Sequence, residues 1–232
     1  MKIIYNDGHT DECPKEDELH VLRHSAAHIM AQAVKRLYPQ TKLAYGPANE
    51  KGFYYDLDLG DTRLTDSGLP AIEAEMKKIV KENLPFRAFI LPRDEAISFY
   101  QQGDYIDMCR GPHITYTKAL KAFKLLSISG AYWKNDASRK MLTRINGTAF
   151  ATEQKLDEHL KKLEEAAMRD HRKIGREMQL FMTDTLVGRG LPMFLPNGYT
   201  IWQELENYIK EKERKLGYRH VMTPCVGTVA LY

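Results

Sequence analysis

The sequence predicts an α+β fold, and three observations carry that prediction. Apolar residues recur at helical spacing through Leu19, Leu22, Ala26, Ile29, Met30, Ala33, Val34 and Leu37, the stripe of an amphipathic helix. The stretch from Lys42 to Leu59 is strand-prone instead, with Phe53-Tyr54-Tyr55 at its centre and Gly46-Pro47 and Lys51-Gly52 as turns. A second helical seam runs through Leu156, Leu160, Leu163, Ala167, Ile174, Met178 and Phe181, with Asp170 its one gap.

Composition narrows the class. The 232 residues are 43% hydrophobic and 28% charged, ordinary for a globular chain, which sets aside disorder, collagen and disulfide scaffolds. No apolar run reaches the length of a membrane helix, and Met1 to Asn6 shows no signal peptide. Cys13, Cys109 and Cys225 are odd in number and widely spaced, which fits a reducing, cytoplasmic setting. Lysine and arginine total 34 against 31 acids, a net charge of +3, too small to argue for nucleic acid without a local basic patch.

Element by element, Pro14 suits a first helical position and Pro39 ends the helix. A second helix is expected from about Pro70 to Asn83, with Ile72, Met76 and Ile79 inward, and a short one around Asp94 to Tyr100. Tyr105 to Phe150 reads as strands and loops around one short helix. Thr152 is the expected N-cap of a long helix with a narrow seam. Thr183 to Gly198 is a loop-rich boundary. Thr200-x-x-Gln203 matches a capping box ahead of a helix carrying Ile201, Leu205, Tyr208, Ile209 and Leu216. Gly217 stops it, and Tyr218 to Thr223 reads as a strand ending at Pro224.

Two clusters can carry chemistry. His24 and His28 are four apart on one helix face. On a wheel started at Leu19 the apolar stripe centres near roughly 330° and the histidines fall near about 140° and 180°, so they leave the stripe. The second cluster is Asp107-Met108-Cys109-Arg110-Gly111-Pro112-His113, where Gly111-Pro112 suggests a tight turn bringing thiol and imidazole together. Three histidines and a cysteine can hold tetrahedral zinc, position a water and move protons, or supply a Cys–His nucleophile; spacing alone does not choose. The plain alternatives are a solvated helix face and a small buried cysteine. Lys118, Lys121, Lys124, Lys134, Arg139, Lys140 and Arg144, interleaved with Phe123, Tyr132 and Trp133, suit either RNA contact or a solvated basic face.

These motifs resemble those of threonyl-tRNA synthetases. His24-Ser25-Ala26-Ala27-His28 with Asp107 to His113 resembles the editing-domain signature, shared more loosely with alanyl-tRNA synthetases and free-standing alanyl-tRNA deacylases. Gly46-Pro47, Gly52-Phe53-Tyr54-Tyr55-Asp56, Gly130-Ala131-Tyr132-Trp133 and Arg144 to Ala149 match the same domain. Glu164 to Gly175 resembles the linker helix into a class II catalytic domain, and Thr200 to Pro224 resembles its motif 1. The resemblance divides the chain into an N-terminal tail (1–18), a tRNA editing domain (19–151), a linker helix (152–182) and the start of a class II domain (183–232).

The resemblance implies hydrolysis of the seryl ester of mischarged tRNA(Thr). His24, His28, Cys109 and His113 match the catalytic positions, and Tyr55, Tyr100 and Asp107 those that hold the seryl-adenosine end. It implies no required metal for editing, with Zn2+ at His24, His28, Cys109 and His113 as the alanyl-type alternative. A non-catalytic module binding tRNA or a synthetase is the other alternative. ATP, Mg2+ and a threonine-selecting Zn2+ belong to the full-length family pattern, whose motifs 2 and 3 fall outside this sequence, so aminoacylation is not expected of this chain. Motif 1 implies a homodimer. The pattern also places a further helix and strand, with a water-positioning lysine, where Ile97 here runs straight into Tyr100; no residue takes that lysine's place by alignment, and Lys42, Lys51 or Lys134 would do so only by accident of geometry.

Overall fold

A computed structural model describes residues 1–91, 97–188 and 190–224. The chain forms two compact units, Met1–Leu160 and Lys161–Tyr232.

The first unit opens with strands β1 (Lys2–Ile4) and β2 (Thr10–Glu12), paired antiparallel. A tail was expected here, and the structure corrects that expectation. Ile3 and Ile4 are buried, and they pair with Ile114 and His113 of a later strand. Two isoleucines set against buried partners stabilise the segment by roughly 1.5–3 kcal/mol each, enough to hold a strand too short to show period-2 patterning.

Helix α1 spans Glu18–Leu37. Pro14 precedes it: its carbonyl accepts from the backbone N–H of Asp17 and of Glu18, closing the turn that leads in. The predicted stripe is buried from Leu22 to Val34, but so is the rest of the helix surface over that span except the half-buried His24, with Arg23, Ser25, His28 and Gln32 among the buried residues. Polar groups there are satisfied by specific partners. The Arg23 guanidinium donates to the carbonyls of Ala149, Asn49 and Glu50 at 2.8–3.3 Å. Gln32 donates to the Gln102 carbonyl at 3.1 Å and accepts from the Gln102 side chain at 2.9 Å. These bonds fix the rotation of α1 about its axis, and with it the direction of the histidines.

Strands β3 (Lys42–Tyr45), β4 (Ala48–Asn49) and β5 (Gly52–Asp58) follow, then α2 (Leu69–Glu82). Ile72, Met76 and Ile79 are fully buried on α2, as its periodicity predicts. Next come β6 (Phe86–Leu91), β7 (Ile97–Gln102), β8 (Tyr105–Met108), β9 (His113–Ile114), β10 (Ala122–Tyr132) and β11 (Met141–Phe150). The expected short helix at Asp94 to Tyr100 is corrected from Ile97 onward. Phe99 pairs with Phe89 and Tyr100 with Ala88, and Ile97, Phe99 and Tyr100 are themselves strand formers. Asp94 to Ala96 lie outside the described residues.

Three antiparallel sheets result: β10-β11-β5-β3 with β4 beside β5, β6-β7-β8, and β2-β1-β9. α1 packs on β5 and β11 and also meets β9 and α2. It is a central helix rather than a surface one, which explains why its burial wraps nearly all the way round.

The division between the units falls within α3 (Glu153–Met168). The Lys155 N–H donates to Thr152 Oγ1 at 3.3 Å, the expected cap. The single long helix is corrected. It breaks after Met168, and Asp170 caps α4 (His171–Glu177) by accepting from the Arg172 N–H at 2.8 Å. Asp170 was the gap in the apolar seam, and it interrupts the helix because its carboxylate competes for backbone donors. Phe181 lies in β12 (Phe181–Met182), paired with β13 (Met193–Phe194).

Helix α5 spans Pro196–Lys215. Its start corrects the expected capping box. Proline takes a first-turn position, and Thr200 lies inside the helix with its hydroxyl donating to the Pro196 carbonyl at 3.0 Å. Gly217, at φ +89°, ends the helix as expected. Tyr218 to Thr223 is not a strand among the described residues. The Tyr218 N–H turns back to the Glu213 carbonyl, and a strand needs a ladder partner. No helix among the described residues is long and apolar enough to cross a membrane.

Candidate active site

α1 and the β8–β9 turn bring the two sequence clusters together. His24 and His28 project from successive turns of α1 with ring centroids 5.2 Å apart. His113, at the start of β9, sits 4.4 Å from the His24 ring and 4.3 Å from the His28 ring. Cys109 Sγ lies 3.1 Å from His24 Nε2 and 3.3 Å from His113 Nε2. The donor atoms of all four residues lie within 4.8 Å of one another. The histidines leave the apolar stripe as the wheel predicts, yet His28 and His113 are buried because β9 and its turn cover that face.

The turn depends on Gly111. Its φ is +58°, and a Cβ there would collide with the Tyr100 hydroxyl. The Gly111 N–H donates to Cys109 Sγ at 3.2 Å, which holds the sulfur toward the histidines. The His113 ring is fixed from its other sides by Phe86, stacked at 5.0 Å, and by the edge of Tyr100 at 4.5 Å.

Tyr55 and Asp107 meet at the edge of the cluster. The Tyr55 hydroxyl donates to Asp107 Oδ2 at 2.5 Å, and the Tyr105 hydroxyl donates to the same oxygen at 2.9 Å. Tyr100, the third residue expected to hold substrate, is placed differently. It is 1% exposed, and its hydroxyl donates to Asn6 Oδ1 at 2.7 Å. Tyr100 therefore braces His113 from behind and ties the site to the β1–β2 loop.

Burial sets the charge state. It lowers His24 and His28 to about 3, His24 being pressed further by its neighbouring histidines, and holds His113 well below its ordinary value. Burial pushes the Cys109 thiol up to about 11. At neutral pH the cluster is three neutral imidazoles and a thiol. Burial also raises the Asp107 carboxyl, opposed by the Tyr55 and Tyr105 hydroxyls. His28 Nδ1 is 3.5 Å from Asp107 Oδ2. A neutral imidazole at that distance is no ion pair, and Nδ1 is buried without a hydrogen-bond partner among the described residues.

The donor set fits zinc. Bonds of about 2.0–2.1 Å to nitrogen and about 2.3 Å to sulfur require ligand atoms a few ångströms apart, and neutral imidazoles are the binding form. The Cys109 thiol would have to lose its proton.

Elsewhere the basic stretch is largely committed within the unit. Lys124 pairs with Glu73 at 3.0 Å, Arg139 with Asp136 at 3.0 Å, Lys140 with Asp58 at 2.8 Å and Arg144 with Asp56 at 2.7 Å. Phe123 is buried. Lys134 lies over the Trp133 ring, Lys42 is on β3 opposite Asp58, and Lys51 sits in the β4–β5 turn.

Three residues around the site escaped sequence reasoning: Ser25, Tyr105 and Asn6. Two carried a signal. Tyr105 is two residues before Asp107 on one strand and shares its face, and Ser25 is a small polar residue on an otherwise apolar helix segment.

The sequence is similar to those of known proteins over the same residues. Residues 97–146, which contain Cys109 and His113, match the family described as Threonyl and Alanyl tRNA synthetase second additional domain. Threonine–tRNA ligase from Anoxybacillus flavithermus is 50% identical over 240 residues, covering 93% of this chain and 37% of that protein. Threonine–tRNA ligase from Geobacillus kaustophilus is 49% identical over 257 aligned positions, 99% of this chain and 39% of that protein. That alignment is longer than the chain's 232 residues, so the relative carries positions this chain lacks. The chain is thus similar to threonine–tRNA ligases over 93% of its length, matches the second additional domain of threonyl and alanyl tRNA synthetases over residues 97–146, and spans a little over a third of the ligases it matches.

Proposed function

We propose that this chain is an editing module that hydrolyses the ester of seryl-tRNA(Thr) at the cluster of His24, His28, Cys109 and His113. The observation that carries the reading is the meeting of His24, His28, Cys109 and His113, whose donor atoms lie within 4.8 Å of one another, with the buried His28 Nδ1 left without a hydrogen-bond partner among the described residues beside Asp107. Such a cluster can order a water and accept its proton as the water attacks a carbonyl. A neutral imidazole accepts through a lone pair at pH 7, and the His28 ring has a nitrogen, Nδ1, without a hydrogen-bond partner among the described residues.

The chemistry also explains the need for such a site. Serine lacks only the methyl of threonine, and one methyl in a pocket discriminates by about 1–3 kcal/mol. A second, hydrolytic sieve supplies the remainder. Asp107, held through Oδ2 by Tyr55 and Tyr105, keeps its second carboxyl oxygen for the hydroxyls of the terminal ribose or of serine.

The compact donor set supports a second reading, a zinc-dependent deacylase of the alanyl type. His24, His28, Cys109 and His113 would hold the ion. When bound, zinc would supply a Lewis acid and a more acidic water.

The test is loss of ester from seryl-tRNA(Thr), run beside threonyl-tRNA(Thr) and beside His24→Ala, with and without a chelator. The proposal expects the seryl ester to disappear faster than in buffer, the threonyl ester to persist, and His24→Ala to abolish the difference. Activity lost to the chelator and restored by zinc would favour the second reading. No loss of either ester above buffer contradicts both.

A further inference from the structure

We propose that Ser25 is a positioning residue that holds His113 with its proton on Nε2, so that His113 presents an N–H to Cys109 Sγ. The inference rests on reading the cluster as a hydrolytic site, but its evidence is independent of activity. Ser25 lies on α1 between the two histidines and is fully buried. Its Oγ accepts from the Ile114 N–H at 3.0 Å and lies 3.1 Å from His113 Nδ1. No other polar atom bonds to it among the described residues. A buried hydroxyl left without an acceptor costs about 1–3 kcal/mol, so the Ser25 O–H donates to Nδ1. That atom must then be the unprotonated nitrogen of a neutral ring.

The consequence runs across the site. With Nδ1 occupied as an acceptor, His113 carries its hydrogen on Nε2, which faces Cys109 Sγ at 3.3 Å. The sulfur then receives two donors, His113 Nε2–H and the Gly111 N–H at 3.2 Å. Its own hydrogen is left for His24 Nε2 at 3.1 Å. A single direction of donation thus passes from Ser25 through His113 and Cys109 to His24, and every member has a partner. Coordination of a metal by His113 Nε2 needs the opposite tautomer. Ser25 would first have to turn its hydroxyl from donor to acceptor. The serine hydroxyl therefore biases the cluster toward handling water without a metal.

The experiment is a two-bond proton–nitrogen correlation spectrum of the full chain labelled with nitrogen-15 at histidine, recorded metal-free near neutral pH, with the His113 signal assigned by its absence in His113→Gln. The proposal expects an unprotonated Nδ1 and a protonated Nε2 in the wild type and in Ser25→Thr, which keeps the hydroxyl. Ser25→Ala should lower the ratio of the two tautomers by roughly 2- to 10-fold, the worth of one neutral hydrogen bond. A wild-type spectrum with the proton on Nδ1 overturns the proposal, as does a Ser25→Ala ratio equal to that of the wild type. If Ser25→Ala fails to fold, the wild type and Ser25→Thr still decide. Because the spectrum uses no substrate, a failure here is distinguishable from a failure of the deacylase reading.

Discussion

The Tyr55 hydroxyl on β5 donates to Oδ2 of Asp107 on β8 at 2.5 Å, and so joins two separate sheets at the edge of the histidine cluster. The Tyr105 hydroxyl serves the same oxygen at 2.9 Å. Removing either donor leaves Asp107 half-satisfied in a buried setting. Tyr55→Phe and Tyr105→Phe should each lower stability by about 1–2 kcal/mol, measured by urea unfolding. Because both serve one oxygen, the double variant should depart from the sum of the single effects by at least about 0.5 kcal/mol. Strict additivity would mean that the two tyrosines do not share this acceptor.

The thiol of Cys109 should react slowly. Burial pushes it up to about 11, and thiolate is the reactive form. Peptide-resolved alkylation of the metal-free chain should show Cys109 labelling rising steadily from pH 7 to pH 10 without levelling. A plateau near pH 8.5 would show an unburied thiol. Prompt labelling at pH 7 would show a thiolate stabilised by a charged histidine, against three neutral rings.

Acid should weaken the first unit before most carboxylates titrate. His24 and His28 have ordinary values of 6.5 and are lowered to about 3 by burial. Between those limits the unfolded chain binds protons that the folded chain does not, so stability falls as pH drops below 6.5. Each histidine contributes a slope of about 1.4 kcal/mol per pH unit once its unfolded form is fully charged. Urea midpoints of the full chain, followed by hydrogen exchange in β5 and β11, should decline from pH 6.5 to pH 4.5. His28→Gln should flatten the decline, and an unchanged slope would remove that histidine from the cause.

The N-terminal strands should matter to the fold. Ile3 is 1% exposed and paired with Ile114. Ile3→Ala should cost about 2–4 kcal/mol, as a large-to-small change in a core does. A free tail would give a value near zero in the same denaturation measurement.

Much of this was legible in the residues. The stripe of α1, the inward face of α2 and the strands from Lys42 to Leu59 follow from periodicity alone, because each is long enough for its period to show. The His24/His28 pair and the Cys109-x-x-x-His113 turn were legible for the same reason, fixed spacing on recognisable elements. What escaped was of two kinds. β1 and β2 are three residues each and owe their structure to a distant strand, β9. Ile97 to Tyr100 is rich in strand formers but too short to show a period by itself, and it is a strand through its pairing with β6 and β8. Likewise the placement of the Tyr100 hydroxyl on Asn6, and of Ser25 on His113, joins residues more than eighty positions apart. No local pattern encodes such a contact.

The central claim is that His24, His28, Cys109 and His113 form one hydrolytic site. Its most direct test is the single-turnover rate of seryl-tRNA(Thr) deacylation by the metal-free wild type, set against Cys109→Ala and His28→Ala whose folding has been verified by circular dichroism. A hydrolytic site there gives a wild-type rate at least tenfold above buffer, with both variants reduced to the buffer rate within error. A wild-type rate equal to buffer, or folded variants that retain the full rate, would contradict it.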